Sequence, residues 1–175
     1  MSFDGMWLPA GEDPREPAAP PRGERDTLLD YLEAYRLTLR LKCDGLDPEQ
    51  LARRSVPPSG LSLLGLVRHM ARVEHHWFHR VIAGNLDEPR LYPSDHGFEE
   101  IAGDQANVDD AFSGLAYQVE RSRAILKRAA LDDLVTVSDE QIEVRDVVVH
   151  MIEEYARHCG HADLLRECID GRTGQ

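Results

Sequence analysis

The chain has 175 residues, 42% of them hydrophobic and 30% charged, which suits one globular domain and excludes both a disordered chain and a pair of ordinary domains. Its 32 acidic residues outweigh 20 basic ones, giving a formal net charge of −12 that disfavours nucleic acid and anionic membranes as partners. Small molecules or proteins are the expected partners. Three cysteines, Cys43, Cys159 and Cys168, follow no CxxC or finger spacing, so a disulfide scaffold is not expected and all three read as small buried hydrophobes. No segment has the roughly 20 apolar residues of a membrane span, and Met1 to Arg25 lacks a signal-like apolar run. A cytoplasmic location is the expectation.

Residues 1–23 contain Pro9, Pro14, Pro17, Pro20 and Pro21 and read as an irregular tail. Met6, Trp7 and Leu8 are its apolar cluster, either an anchor on the domain surface or a disordered segment. The domain proper is expected over 24–175. Leu28, Tyr31, Leu32, Tyr35 and Leu39 step by three or four, predicting a first helix that Gly45 stops. Asp47 before Pro48 predicts a short helical turn over 48–54. Ser59 or Ser62 can cap the next long helix, whose seam runs Leu63, Leu66, Met70, Val73, Trp77 and Val81 until Gly84.

Residues 84–106, with Pro89, Pro93, Gly97 and Gly103, predict a long connection that could wall a pocket. A third long helix follows from about Asp109 to Ala130, carrying Phe112, Leu115, Val119 and Ile125. Thr136 to Val144 suggests a small hairpin. The last helix, from about Arg145 to Ile169, repeats Val148, Met151, Ile152, Tyr155, Ala162 and Leu165 before Gly171. These elements predict an all-α fold, a four-helix bundle with one long crossover connection.

Seven of the eight histidines fall in two segments: His69, His75, His76 and His79 in one, His150, His158 and His161 in the other. On a helix Glu154, His158 and His161 share one stripe, and His69 lies at the edge of the apolar seam of its own helix. His69, Glu154 and His158 are therefore candidate metal ligands, three groups that leave an open coordination position. A buried His69 could equally be satisfied by a hydrogen bond to Glu154 or to a carbonyl. His150, one turn before Glu154, could be a fourth ligand or support the others. His75 and His79 read as mostly surface, whereas Glu74 and His76 lie close enough to the His69 face to support it. Cys159 is turned away from His158 and is a poor nucleophile there. Glu153, Arg157 and Arg166 could touch substrate but read more naturally as solvated helix positions.

The segments ERDTLLDYLEAYRLTLRLKCDGLDPEQLARR, LSLLGLVRHMARVEHHWFHRVIAG and VRDVVVHMIEEYARHCGHADLLRECIDG resemble the DinB-like superfamily of metal-binding four-helix bundles, in particular its uncharacterised actinobacterial branch. The likeness spans roughly residues 24–171. It implies a divalent ion held by His69 and by Glu154 with His158, where His-x-x-x-His is the commoner last-helix pair. Relatives of the mycothiol-dependent maleylpyruvate isomerase kind also place Glu there, and His161 stands where Gln is usual. Zinc is implied by ligand type, with nickel as an adventitious alternative.

The resemblance further implies an enzyme that uses a low-molecular-weight thiol such as mycothiol for S-transfer or isomerisation of an electrophilic substrate, with His161 and His150 orienting groups or shuttling protons. The alternative is a non-catalytic metal-binding or stress-response bundle whose site supports folding. A homodimer is expected in either case, through a helix face that the sequence does not identify.

Overall fold

The computed structural model describes residues 7–9, 11–17, 19–92 and 100–174. Met6, Pro93 and Gly97 of the expectations above lie outside them. Helix α1 (Gly23–Cys43) is followed by the short α2 (Pro48–Ala52), α3 (Leu63–Glu74), a π-helical continuation (His75–Ile82), α4 (Gln105–Leu126), strands β1 (Leu134–Val137) and β2 (Glu140–Glu143), and α5 (Val144–Asp170). The chain is mostly helical, and the expected hairpin is present as an antiparallel pair in which Leu134 faces Glu143 and Val137 faces Glu140.

Local chemistry accounts for the boundaries. Asp47 caps α2 by accepting from the Gln50 amide while Gln50 Oε1 accepts from the Asp47 amide, and Ser62, rather than Ser59, accepts from the Gly65 amide to start α3. Helix α4 starts four residues before the expected Asp109, because Asp104 accepts from the Asn107 amide. Helix α5 ends on Gly171, whose φ of 78° a side chain would oppose.

Packing pairs α1 with α5 and α3 with α4, and contacts between α3 and α5 join the two pairs. Leu32 and Leu39 of α1, Leu66 and Met70 of α3, and Val148 and Met151 of α5 are fully buried in one core. Each such side chain contributes roughly 1.5–3 kcal/mol relative to exposure. Within that apolar core Arg36 donates from Nε and Nη2 to the two oxygens of Glu74, each at 2.8 Å, and the Tyr155 hydroxyl donates to Glu74 Oε1 at 2.9 Å. The triad ties α1, α3 and α5 together at the point where the α wind of α3 gives way to the π wind. Glu74 therefore serves the core instead of the His69 face.

The π segment also changes the seam. Its closing bond runs from the Ala83 amide to the Phe78 carbonyl at 3.0 Å, five residues apart, and each residue of such a wide turn advances through a smaller angle than in an α-helix. The buried line passes from Met70 and Glu74 to Phe78 and Val81, which leaves Trp77, expected in the seam, half-buried; Val73, which precedes the π segment, is half-buried as well. The same drift carries His75 and His79 inward. They are 6% and 7% exposed, which corrects their reading as surface residues.

Two peripheral segments are fastened to this frame. Trp7 of the tail is buried, with Arg172 Cζ at 3.8 Å, Lys42 Nζ at 4.0 Å and Arg166 Cζ at 5.3 Å from its ring centroid, so the anchor reading holds for this residue. Arg166 is itself buried, not solvated: it donates to the Lys42 and Asp44 carbonyls at 3.0 and 2.7 Å and so satisfies the end of α1. In the connection after the π segment, Tyr92 donates to Asp110 Oδ2 at 2.9 Å and lies 4.2 Å from Arg68 Cζ. Further on, a Cβ at Gly103 would meet the Pro48 carbonyl oxygen at 2.8 Å, so glycine lets this stretch lie against α2.

Candidate metal centre

Helical spacing places Glu154, His158 and His161 along one stripe of α5, and the α3–α5 contact brings His69 opposite them. His69 Nε2 is 3.7 Å from Glu154 Oε2, and His158 Nε2 is 3.5 Å from the same oxygen. The two rings meet edge to face with centroids 4.7 Å apart. One donor atom from each of the three residues falls within 4.8 Å of the others. The other carboxylate oxygen of Glu154 accepts from Arg157 Nη1 at 3.2 Å, which leaves Oε2 turned toward the imidazoles. Arg157 is thus a positioning contact to Glu154 on the solvent side.

The electrostatics favour neutral imidazoles. Burial pushes the His69 pKa down, with Glu154 partly offsetting it, and burial together with neighbouring His69 pushes His158 down to about 4. Neutral imidazole is the metal-binding form. With its Nε2 facing Glu154, His158 turns Nδ1 to within 3.3 Å of His161 Nδ1. His161 therefore stands behind His158 and not in the group of three. His150 sits elsewhere, its ring 4.7 Å from Trp77.

A second group of similar composition joins the π segment to the following loop: His75, His79 and Glu88 also present donors within 4.8 Å of one another. Here His79 Nε2 and Glu88 Oε2 are 2.7 Å apart, and Arg121 Nη2 lies 2.8 Å from the same His79 nitrogen and also contacts its Nδ1. Asn85 Nδ2 donates to the His79 carbonyl at 2.9 Å. Burial, His79 and Arg121 together push the His75 pKa down.

One histidine of each group, His69 and His75, lines a pocket of about 240 Å³. Its wall takes His69, Arg72, Val73, His76 and Trp77 from one helical face, together with His75 and, from the loop, Arg90. His76 keeps its expected place beside His69, and the 84–106 connection does border the pocket through Arg90. Sequence reasoning missed Arg72 and Arg90. The first was accessible, since it lies one turn from His69; the second sits on a loop whose path no periodicity fixes.

A family model described as Mycothiol-S-transferase matches residues 27–171. The chain belongs to the mycothiol-S-transferase family, one of the DinB-like families. That span contains every residue of both histidine groups. Among solved structures the chain is similar to one titled the conserved protein of locus from Enterococcus faecalis, with a TM-score of 0.65, 13% identity, and 86% of this chain and 99% of that one covered. At that identity the likeness concerns the fold alone. No curated protein matches. No helix among the described residues is long and apolar enough to cross a membrane.

Proposed function

We propose that this member of the mycothiol-S-transferase family is a divalent-metal-dependent S-transferase, with His69, Glu154 and His158 holding the ion and zinc as the ion their chemistry fits best. The observation that carries the reading is the spacing of the donors. Ligand bonds of about 2.1 Å in a tetrahedron put neighbouring ligand atoms about 3.4 Å apart. The gaps of 3.7 and 3.5 Å to Glu154 Oε2 approach that edge and exceed a normal hydrogen bond. Two neutral imidazoles and one carboxylate leave such a site a net positive charge and an open position.

When bound there, the ion supplies the charge that holds the sulfur of a mycothiol-type thiol as thiolate near neutral pH. The remaining work falls to the chain. Burial keeps His69 and His158 unprotonated, Arg157 fixes the carboxylate of Glu154, and His161 sets the His158 ring through the contact between their Nδ1 atoms. In this reading His161 carries away the thiol proton, with His150 as a further proton carrier at the Trp77 wall. In the reaction a C–S bond forms on the electrophile and its leaving group departs with the bonding pair. The same reading includes a four-helix bundle, a cytoplasmic location and a homodimer.

The test compares zinc-loaded protein plus mycothiol and an electrophile with the thiol alone. S-conjugate should form faster with the protein, and His158→Ala should remove the gain along with the zinc. Retention of zinc with no acceleration for any pair would instead support a non-catalytic metal-binding bundle.

A further inference from the structure

Helix α1 packs on α5 and α4 packs on α3, and between α1 and α4 runs a cleft of about 150 Å³ that shares no residue with the metal centre or with the pocket beside it. Leu37 of α1 and Phe112, Leu115, Ala116 and Val119 of α4 give this cleft an apolar wall, and Tyr155 of α5 closes it from below. A second cavity of about 510 Å³ continues it past Leu41 and Val108, and Leu37, Arg40 and Phe112 line both. Charge singles out one point on this path. In the inner cavity Glu33 and Glu120 both contact Arg123, whose Nε donates to Glu33 Oε2 at 3.2 Å, and Arg36 gives its Nε and Nη2 to Glu74. Those charges are compensated within the chain. Arg40 is the exception, since its side chain has no ion pair or hydrogen bond among the described residues.

We propose that this cleft binds a small apolar monocarboxylate, with the carboxylate on the Arg40 guanidinium and the hydrocarbon body between α1 and α4. The size follows from the inner cavity, because a cavity of roughly 150 Å³ in a protein holds a benzene-sized body of about six carbons. A helix of another chain, about 10 Å across, does not enter a recess of that volume. The apolar body follows from the wall: the Tyr155 hydroxyl already donates to Glu74, so a polar substituent there would lose water without gaining a partner. The acid group follows from Arg40, whose planar fork matches a carboxylate at two points. Asp44, one turn along at the end of α1, lines the outer cavity without an ion pair among the described residues, and its charge opposes an anion at Arg40. The site involves neither the metal nor the thiol.

The test is calorimetric titration of the full chain with heptanoate, beside its neutral amide and propanoate. Heptanoate should bind, and the amide, which keeps the body, and propanoate, which keeps the charge, should each bind at least about tenfold more weakly. Arg40→Gln should weaken heptanoate by about tenfold, as for loss of a charge-assisted bond, and leave the amide within about twofold. Asp44→Asn should strengthen heptanoate by about twofold, since it removes a neighbouring like charge. Ala116→Phe fills the inner cavity from α4 and should abolish binding of both. Arg40 is an exposed position, so its variant keeps the test decisive if Ala116→Phe fails to fold.

Absence of heptanoate binding, propanoate bound as tightly as heptanoate, or an equal fall for heptanoate and amide in Arg40→Gln would overturn the site. So would a dimer that Ala116→Phe dissociates in sedimentation, because a second copy of the chain would then cover the cleft.

Discussion

Two groups of two histidines and a glutamate each lend one histidine to the wall of one pocket, and they differ in spacing and in their neighbours. At His69, Glu154 and His158 the carboxylate oxygen stands 3.7 and 3.5 Å from the imidazole nitrogens, a gap wide enough for an ion to sit between them. At His75, His79 and Glu88 the carboxylate is 2.7 Å from His79, a hydrogen bond already made, and the guanidinium of Arg121 lies against the same ring. A permanent cation in that position opposes a second one. The same residue types thus give the proposed ion site in one place and a closed hydrogen-bonded cluster in the other. What distinguishes them is separation and neighbouring charge, not donor identity.

The largest expected effect tests that contrast directly. His158→Ala should lower zinc affinity by more than about 100-fold, since even groups that merely support a ligand are worth 10–100-fold. His79→Ala should leave zinc stoichiometry unchanged. Metal analysis of the two purified variants reads both outcomes, and zinc retained in His158→Ala but lost in His79→Ala would reverse the assignment of the two groups.

On the separate scale of folding stability, the largest effect falls on the buried triad of Arg36, Glu74 and Tyr155. Glu74→Ala strands the Arg36 guanidinium in the core, and breaking a buried pair in this way costs about 3–5 kcal/mol. Denaturant unfolding should show the loss as a lower midpoint with little change in slope. A cost under about 1 kcal/mol would mean that Arg36 finds water, and that the triad does not hold α1, α3 and α5 together.

Chelation comes third. An ion bound only by the folded chain and present at about 100 times its Kd adds about 2.7 kcal/mol, which a chelator should remove from the wild type and from His79→Ala. His158→Ala should show no such difference. A chelator-sensitive melting temperature in that variant would mean that the ion resides elsewhere.

The contrast between the two groups also separates what was legible in the sequence from what was not. Helix order, the hairpin, the Gly171 stop and the stripe of Glu154, His158 and His161 follow from short-range rules of spacing and capping, and they appear in the structure. His69 was reachable because it lies within the part of its helix that keeps the α period. Beyond Glu74 that period changes, and what was inferred from it drifts: Trp77 is only half-buried at the edge of the core, while His75 and His79 are buried. Nothing in HHWFHRVI announces a π wind, which Glu74 and its partners on α1 and α5 accompany through contacts distant in sequence. Arg121, which closes the second group, comes from α4 and was equally out of reach. Arg166 was misread for a related reason, since a helix position facing the end of another helix looks solvated from its own sequence alone.

The smallest effect is a pH dependence, and it sharpens the comparison because, of the two histidines taken down to about 4, His158 belongs to the proposed metal centre and His76 does not. Burial takes both His158 and His76 from an ordinary 6.5 to about 4 in the folded chain, so below 6.5 the unfolded chain binds more protons and stability must fall as pH falls. The contribution is fully present above about pH 6.5, declines between about 6.5 and 4, and levels off below. In metal-free protein both histidines contribute to that decline. With zinc bound, His158 is held neutral, so part of the decline should be deferred to the lower pH at which protons displace the ion, whereas the part due to His76 should persist and disappear in His76→Gln. Melting temperatures across this range, with and without zinc, read the two parts separately. Coincident curves in the two conditions would remove His158 from the metal centre, and a flat metal-free curve would mean that neither imidazole is held neutral by burial.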